Sequence, residues 1–376
     1  MRNYYVLHRH IEDRVERASR PLKAVRRSSS LIRRRRPCGR GALRSGVGSG
    51  RSGRTAAAFS VVALLLLIAV LAGYVLYNRA VNDAVYNAAT AKDAPREVPA
   101  TGQPLPQVPT WRLVGQIKTD MQDPRGIALG PTGDLYIAGD QLVRVFGSDG
   151  TKKSEFAVQG KPRCLAVDAS GVVYVGVGDH VEVFAPDSRL QAEWPAPGKG
   201  SFVTSIALAP DAVWVADAGR RLVDHYDRTG RFVGSIGKRD DARKIPGLLT
   251  PSPHLDVAIA SGGLIVVTNP GRHVVETYTA QGELKGSWGR ASNDLDGFCG
   301  CCNPTDIAVL PDGKIATSEK GLPRVKVYTP AGALESLVAE PPGISSAAVG
   351  IDLAADAKGR LWVLDPVAKV VKVYGR

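Results

Sequence analysis

The densest concentration of reactive side chains is the run Phe298-Cys299-Gly300-Cys301-Cys302-Asn303-Pro304, which places three of the five cysteines within four positions. Cysteines used for packing scatter through a core, as Cys164 does, so a cluster points to thiol chemistry. Three kinds fit the spacing. In an oxidising compartment Cys299 pairs with Cys302, or one of the cluster with Cys164, as a disulfide that staples a loop. Clustered thiolates also suit soft metals, so Cys299, Cys301 and Cys302 could ligate zinc or an iron–sulfur cluster, with Cys164 or His254 as a fourth ligand. The spacing matches neither a zinc ribbon nor a ferredoxin run. Finally, Cys299 and Cys302 have the C-x-x-C spacing of a redox-active dithiol. Cys38, upstream among arginines, reads as a reduced bystander. No nucleophile–base pair, phosphate loop or paired-carboxylate pattern stands out elsewhere.

The elements that must position this loop repeat along the chain. Units such as PRGIALGPTGDLYIAGDQLVRVFGSDG and PTDIAVLPDGKIATSEKGLPRVKVYTPAG carry three short apolar strands separated by Asp/Gly turns. Six such units follow one another, and their equivalent first-strand residues read as Ile127, Leu165, Ile206, Val257, Ile307 and Ile351. Periods of about 40 to 50 residues with strand-type alternation specify propeller blades rather than a helical solenoid. The sixth unit ends with only three strands, while Trp111–Thr119 is a strand with no unit of its own. The reading is therefore all-β, a six-bladed β-propeller whose last blade is completed by the N-terminal strand, which removes an exposed edge.

A propeller gathers its blade-to-blade loops and the turns between second and third strands on one face. Arg125, Arg163, Asp256 and Asp306 fall at the entrances of inner strands on that face, with His254, Glu319 and Lys320 nearby. Such side chains either contact a ligand in the channel mouth or pair with one another around water. The two longest connections, around residues 238 to 254 and 289 to 305, flank the fourth unit, and long loops on a rigid scaffold are where binding residues concentrate. Asp140, Asp217, Asn269, Glu319 and Asp365 share one turn position, where an acid or amide accepts backbone N–H groups.

The pattern P-x-x-I/V-A, then D/N-G-x-L/I-Y-V-A-D, then an R-V-x-V/Y-F strand, over about residues 110 to 376, resembles the NHL-repeat family of propellers (NHL/TolB-like). The C-G-C-C-N-P loop is similar to that of a bacterial membrane-anchored subgroup. A weaker resemblance, in PHLDVAI and the FC…PTDIAV stretch, is to the peptidyl-amidoglycolate lyase propeller, which implies a metal held by histidines from several inner strands. Only His254 matches; Arg125, Arg163, Thr204 and Thr305 stand at the corresponding positions.

The net charge of +13 lies wholly in residues 1–54, which carry sixteen Lys and Arg against Glu12, Asp13 and Glu16. The remainder is balanced, so the basic excess gives no reason to expect nucleic acid as a partner. Residues 56–77, AAAFSVVALLLLIAVLAGYVLY, are uncharged and long enough for a membrane span. Arginines precede this stretch, which puts the N-terminus in the cytoplasm and the rest outside it. The expected organisation is a disordered basic tail (1–55), one transmembrane helix (56–77), a Pro-rich linker (78–109) and the propeller (110–376), in the inner (cytoplasmic) membrane with the propeller periplasmic or extracellular. The expected function is a non-enzymatic binding or scaffolding module for protein or peptide partners. The alternatives are a metal- or iron–sulfur-binding, redox-associated protein using Cys299–Cys302, or a lyase-like enzyme.

Overall fold

The computed structural model describes residues 111–195 and 197–376. The tail, the apolar stretch 56–77 and the linker 78–109 lie outside these residues, and among the described residues no helix is long and apolar enough to cross a membrane.

Six four-stranded antiparallel sheets follow one another as the blades of a propeller. Their innermost strands are Pro124–Leu129, Pro162–Val167, Val203–Leu208, Val257–Ile259, Asp306–Val309 and Asp352–Ala355. The N-terminal strand Arg112–Lys118 pairs with the last strand, Val370–Gly375, so both ends of the chain share blade 6 and close the ring. Second strands such as Val173–Val177 and Leu361–Asp365 are buried along their whole length, whereas outer strands such as Lys152–Ala157 are largely exposed. Core formation is therefore divided among the junctions between blades. One hydrophobic cluster joins Ala308, Ala316, Val325 and Val327 of blade 5 to Leu353, Leu361, Val363 and Tyr374 of blade 6.

The register corrects one sequence equivalence. Ile307 lies opposite Thr317, and Leu353 holds the same place opposite Val363. Leu353, not Ile351, is thus the blade 6 counterpart of Ile307. In register, Gly126, Cys164, Ser205, Asp256, Asp306 and Asp352 occupy one position on the six inner strands.

The three aspartates staple neighbouring blades. Asp256 accepts the Ile307 backbone N–H at 2.5 Å, Asp306 that of Leu353 at 3.0 Å, and Asp352 that of Ile127 at 2.6 Å. Removal from water inside the ring pushes all three carboxyls up, Asp256 to about 7 and Asp352 to about 6, and mutual repulsion raises Asp306 further. Since an unfolded carboxyl ionises near pH 4, these groups bind more protons folded than unfolded between about pH 4 and 7, and stability falls as pH rises through that window. Asp352→Asn, which keeps an acceptor for Ile127, is expected to melt higher than the native chain at pH 7 and equally at pH 4. Thermal unfolding at the two pH values measures this, and an unchanged difference would contradict the assignment.

A second set of acids ties each blade to the loop that leads into it. Asp140 accepts the N–H groups of Gln122 and Asp123, Asp217 that of Phe202, Asn269 that of Leu249, Glu319 that of Cys299 and Asp365 that of Ser345. Blade 2, with Val177 at this position, uses Glu182 on its third strand to accept Gln159 N–H. These residues orient the loops of the face described next.

Candidate functional site

A cavity of about 540 Å³ opens at one end of the channel. Of the seven residues expected at the mouth, Arg125, Arg163, His254, Asp256, Asp306 and Lys320 line it. Arg125 is half-exposed and held by Asp123 at 2.8 Å. Arg163 instead lies over the Phe202 ring at 4.2 Å, and burial followed by repulsion from Arg125 holds its guanidinium below the ordinary value. Lys320 donates to Ser252 Oγ at 2.7 Å. Among the described residues neither Arg163 nor Lys320 has a carboxylate within ion-pair distance. Burial, then repulsion from Lys320, Arg163 and Arg125, drops His254 to about 4, so it is a neutral imidazole at pH 7. The cavity thus has a cationic rim above a floor of carboxyls. Asp256, Asp306 and Asp352 also line a cavity at the opposite end and form the waist between the two.

Asp352, Ser252, Val349 and Val367 are mouth residues that sequence reasoning missed. A signal existed for the first. The steps Asp256-Val257, Asp306-Ile307 and Asp352-Leu353 share an acid-then-apolar pattern, which the apolar Ile351 just before Asp352 masks.

Glu319 is not at the mouth. Its side chain is fully buried, accepting Arg324 Nε at 3.0 Å and Lys326 Nζ at 2.7 Å. Lys326 also donates to the carbonyls of Leu295 and Gly297, at 3.0 and 2.6 Å, and Arg324 to that of Asn293 at 3.3 Å. This charge cluster satisfies the backbone of the loop before blade 5, where chain without secondary structure would otherwise bury unpaired polar groups. Phe298, fully buried, packs against Trp288 and Tyr328 and anchors the same loop.

All four described cysteines are free thiols, so neither expected disulfide is formed. Cys164 sits on an inner strand and lines the opposite cavity, away from the mouth. Within the loop, Cys299 is buried and its thiol is pushed up by burial and by Glu319. The sulfurs in contact are those of Cys301, exposed, and Cys302, buried, 2.9 Å apart. Ser252 and Lys320, which line the cavity, lie beside Cys302 and favour its thiolate. Asn303 fixes this arrangement by donating to the carbonyls of Cys299 and Lys320, at 2.6 and 2.9 Å, and accepting Lys320 N–H at 2.9 Å. Among the described residues no three His, Cys, Asp or Glu side chains gather in metal-holding geometry. The residues at the loop therefore do not fit the expected zinc or iron–sulfur site. At the mouth His254 is alone among arginines and threonines, which does not fit a multi-histidine centre.

No family model matches the chain, and no curated protein matches it. Solved structures do. Virginiamycin B lyase from Staphylococcus aureus is 15% identical, with a TM-score of 0.50 over 68% of this chain and 82% of the lyase. A catalytically inactive variant of that lyase with quinupristin gives 13% identity and a TM-score of 0.51 over 71% and 99%. A chain of a mitotic checkpoint complex gives 12% identity and a TM-score of 0.52 over 75% and 97%. At these identities the likeness establishes the β-propeller fold and nothing of activity.

Proposed function

We propose that the chain is a membrane-anchored, extracytoplasmic propeller of NHL type that binds a protein or peptide segment bearing an anionic group, a carboxylate in the simplest case, in its channel mouth. One observation carries this reading: Arg163 and Lys320 line the mouth cavity with no carboxylate partner among the described residues. A half-buried cation without a counter-charge loses part of its hydration uncompensated, and a bound anion offsets that loss. Exposed apolar residues on the loops and turns of the same face, Leu249, Leu295, Leu322, Val349 and Val367, suit the flanking part of a peptide. The neutral His254 adds no repulsion toward a hydrogen-bond donor on the ligand. Membrane attachment is supported by the uncharged stretch 56–77 and its arginine-rich approach. The likeness to a chain from a multiprotein complex accords with a binding role.

The test is binding of acidic peptides with a free C-terminal carboxylate, and of their amidated counterparts, to the full chain in detergent. Arg163→Gln and Lys320→Gln are each expected to weaken binding about tenfold or more, the size of one lost charge-assisted hydrogen bond. Binding indifferent to both substitutions and to amidation would overturn the reading.

A further inference from the structure

The sulfurs of Cys301 and Cys302 touch at 2.9 Å although the two residues are adjacent in the chain. Cys302 is buried beside Ser252 and Lys320, whereas Cys301 is exposed. Both ends of the loop are fixed, by Asn303 on one side and by the Glu319–Arg324–Lys326 cluster on the other. Gly300, at φ +72°, turns the chain between them, and its carbonyl is bonded by His273 Nε2 at 2.7 Å. The pair is thus held together by structure around it, and one of its sulfurs has a cation beside it.

We propose that Cys301 and Cys302 are a thiol–disulfide exchange couple at the rim of the channel mouth, with the exposed Cys301 the attacking thiol, the buried Cys302 the resolving thiol, and a disulfide as substrate. Cys301 loses its proton to water and, as thiolate, attacks one sulfur of R–S–S–R. That bond breaks, one R–S⁻ leaves and takes a proton from water, and Cys301 carries S–R. Cys302, as thiolate after giving its proton to water, attacks Cys301 Sγ; the second R–S⁻ leaves and is protonated in turn. Two electrons pass from the dithiol to the substrate, which departs as two thiols, leaving a disulfide between adjacent residues. Lys320 acts as a positioning residue through its charge. Burial opposes ionisation of Cys302, but Cys301, Ser252 and Lys320 outweigh it and hold this thiol below its ordinary value, while the bond to Cys302, with burial second, raises Cys301. Exposure assigns the two roles: the Cys301 sulfur is open to an incoming disulfide, while Lys320 favours the Cys302 thiolate that displaces the second leaving group.

This step does not depend on the anionic ligand of the preceding section. The test uses the full chain with Cys38→Ser, oxidised glutathione as probe, released thiol and intact mass as readouts. The native pair is expected to release two glutathiones per chain and to lose two hydrogens, mapped to Cys301 and Cys302. Cys302→Ser should stop after one glutathione with a stable adduct on Cys301, and Cys301→Ser should react about tenfold more slowly, as suits a buried thiol. Lys320→Met should raise the pH midpoint for alkylation of Cys302, and Lys320→Arg should restore it, a response that a merely structural lysine would not give. A stable glutathione adduct on the native pair, or equal rates at the two cysteines in folded variants, would overturn the proposal.

Discussion

Glu319→Gln is expected to cost about 3–5 kcal/mol of unfolding free energy, the range for breaking a buried ion pair by removing one partner. The carboxylate is the common acceptor for Arg324 at 3.0 and 3.1 Å, Lys326 at 2.7 Å and the Cys299 N–H at 2.9 Å. Glutamine keeps the shape and one acceptor oxygen, but its amide presents N–H groups to donors and leaves two cations without a counter-charge. Burial already holds the Lys326 ammonium below its ordinary value, and Glu319 is the charge that opposes this. The damage should be concentrated in the loop before blade 5, whose carbonyls Lys326 and Arg324 bind. Urea unfolding gives the magnitude, and hydrogen exchange at Cys299 and its neighbours gives the location. The double variant Glu319→Gln, Lys326→Met should recover part of the loss because it removes one of the stranded cations. A loss below about 1 kcal/mol, the level of exposed pairs, would show that the cluster is not the support inferred for it.

Trp111→Ala should be comparably severe, about 3–5 kcal/mol for an aromatic truncated in a core. Trp111 is buried at the start of the N-terminal strand, packed among Val338, Ile344 and Tyr374, with the Arg376 guanidinium 4.8 Å from its ring. Its indole N–H donates to Ser336 Oγ at 2.9 Å, and Ser336 is itself fully buried on the outer strand of blade 5. One side chain therefore joins the strand that closes blade 6 to the blade before it. Truncation leaves a cavity at the ring junction and a hydroxyl without its partner. Trp111→Phe separates the two contributions: it should lose only about 1 kcal/mol, the net value of one hydrogen bond. Chemical denaturation of the two variants decides this, and equal stability of Trp111→Ala and the native chain would mean that the ring does not depend on this closure.

Blade count, strand type, closure by the N-terminal strand and the identity of the loop-bearing face were all legible in the residues. So were six of the side chains that line the mouth. These properties rest on local chemistry: apolar and polar residues alternate with the pleat, Gly and Asp mark the turns, and the repetition carries any inference from one blade to the next. The acid or amide at Asp217, Asn269, Glu319 and Asp365 was likewise readable as a backbone acceptor, since its place in the repeat is the same each time; in blade 1 the register puts Gly139 there, and Asp140, one residue further on, accepts instead.

Tertiary structure decided what depends on partners distant in the chain. Glu319 shares a turn position with Asp217, Asn269 and Asp365, yet Arg324 directly opposite and Lys326 on the same paired strand turn that position into a buried charge cluster that holds the loop before blade 5. Asp352 became a third channel carboxylate only when pairing fixed the blade 6 register and put Leu353, two residues beyond Ile351, at the equivalent apolar position. The cysteine run advertised thiol chemistry, but C-x-x-C spacing pointed to Cys299 and Cys302, whereas the fold buries Cys299 under Glu319 and Lys320 and turns Cys301 onto Cys302. The physical reason is common to all three. A one-dimensional pattern sets which faces are apolar and where the chain turns, while the facing of a single polar side chain is set by register and by hydrogen bonds and charges contributed from loops that meet only after the ring has closed.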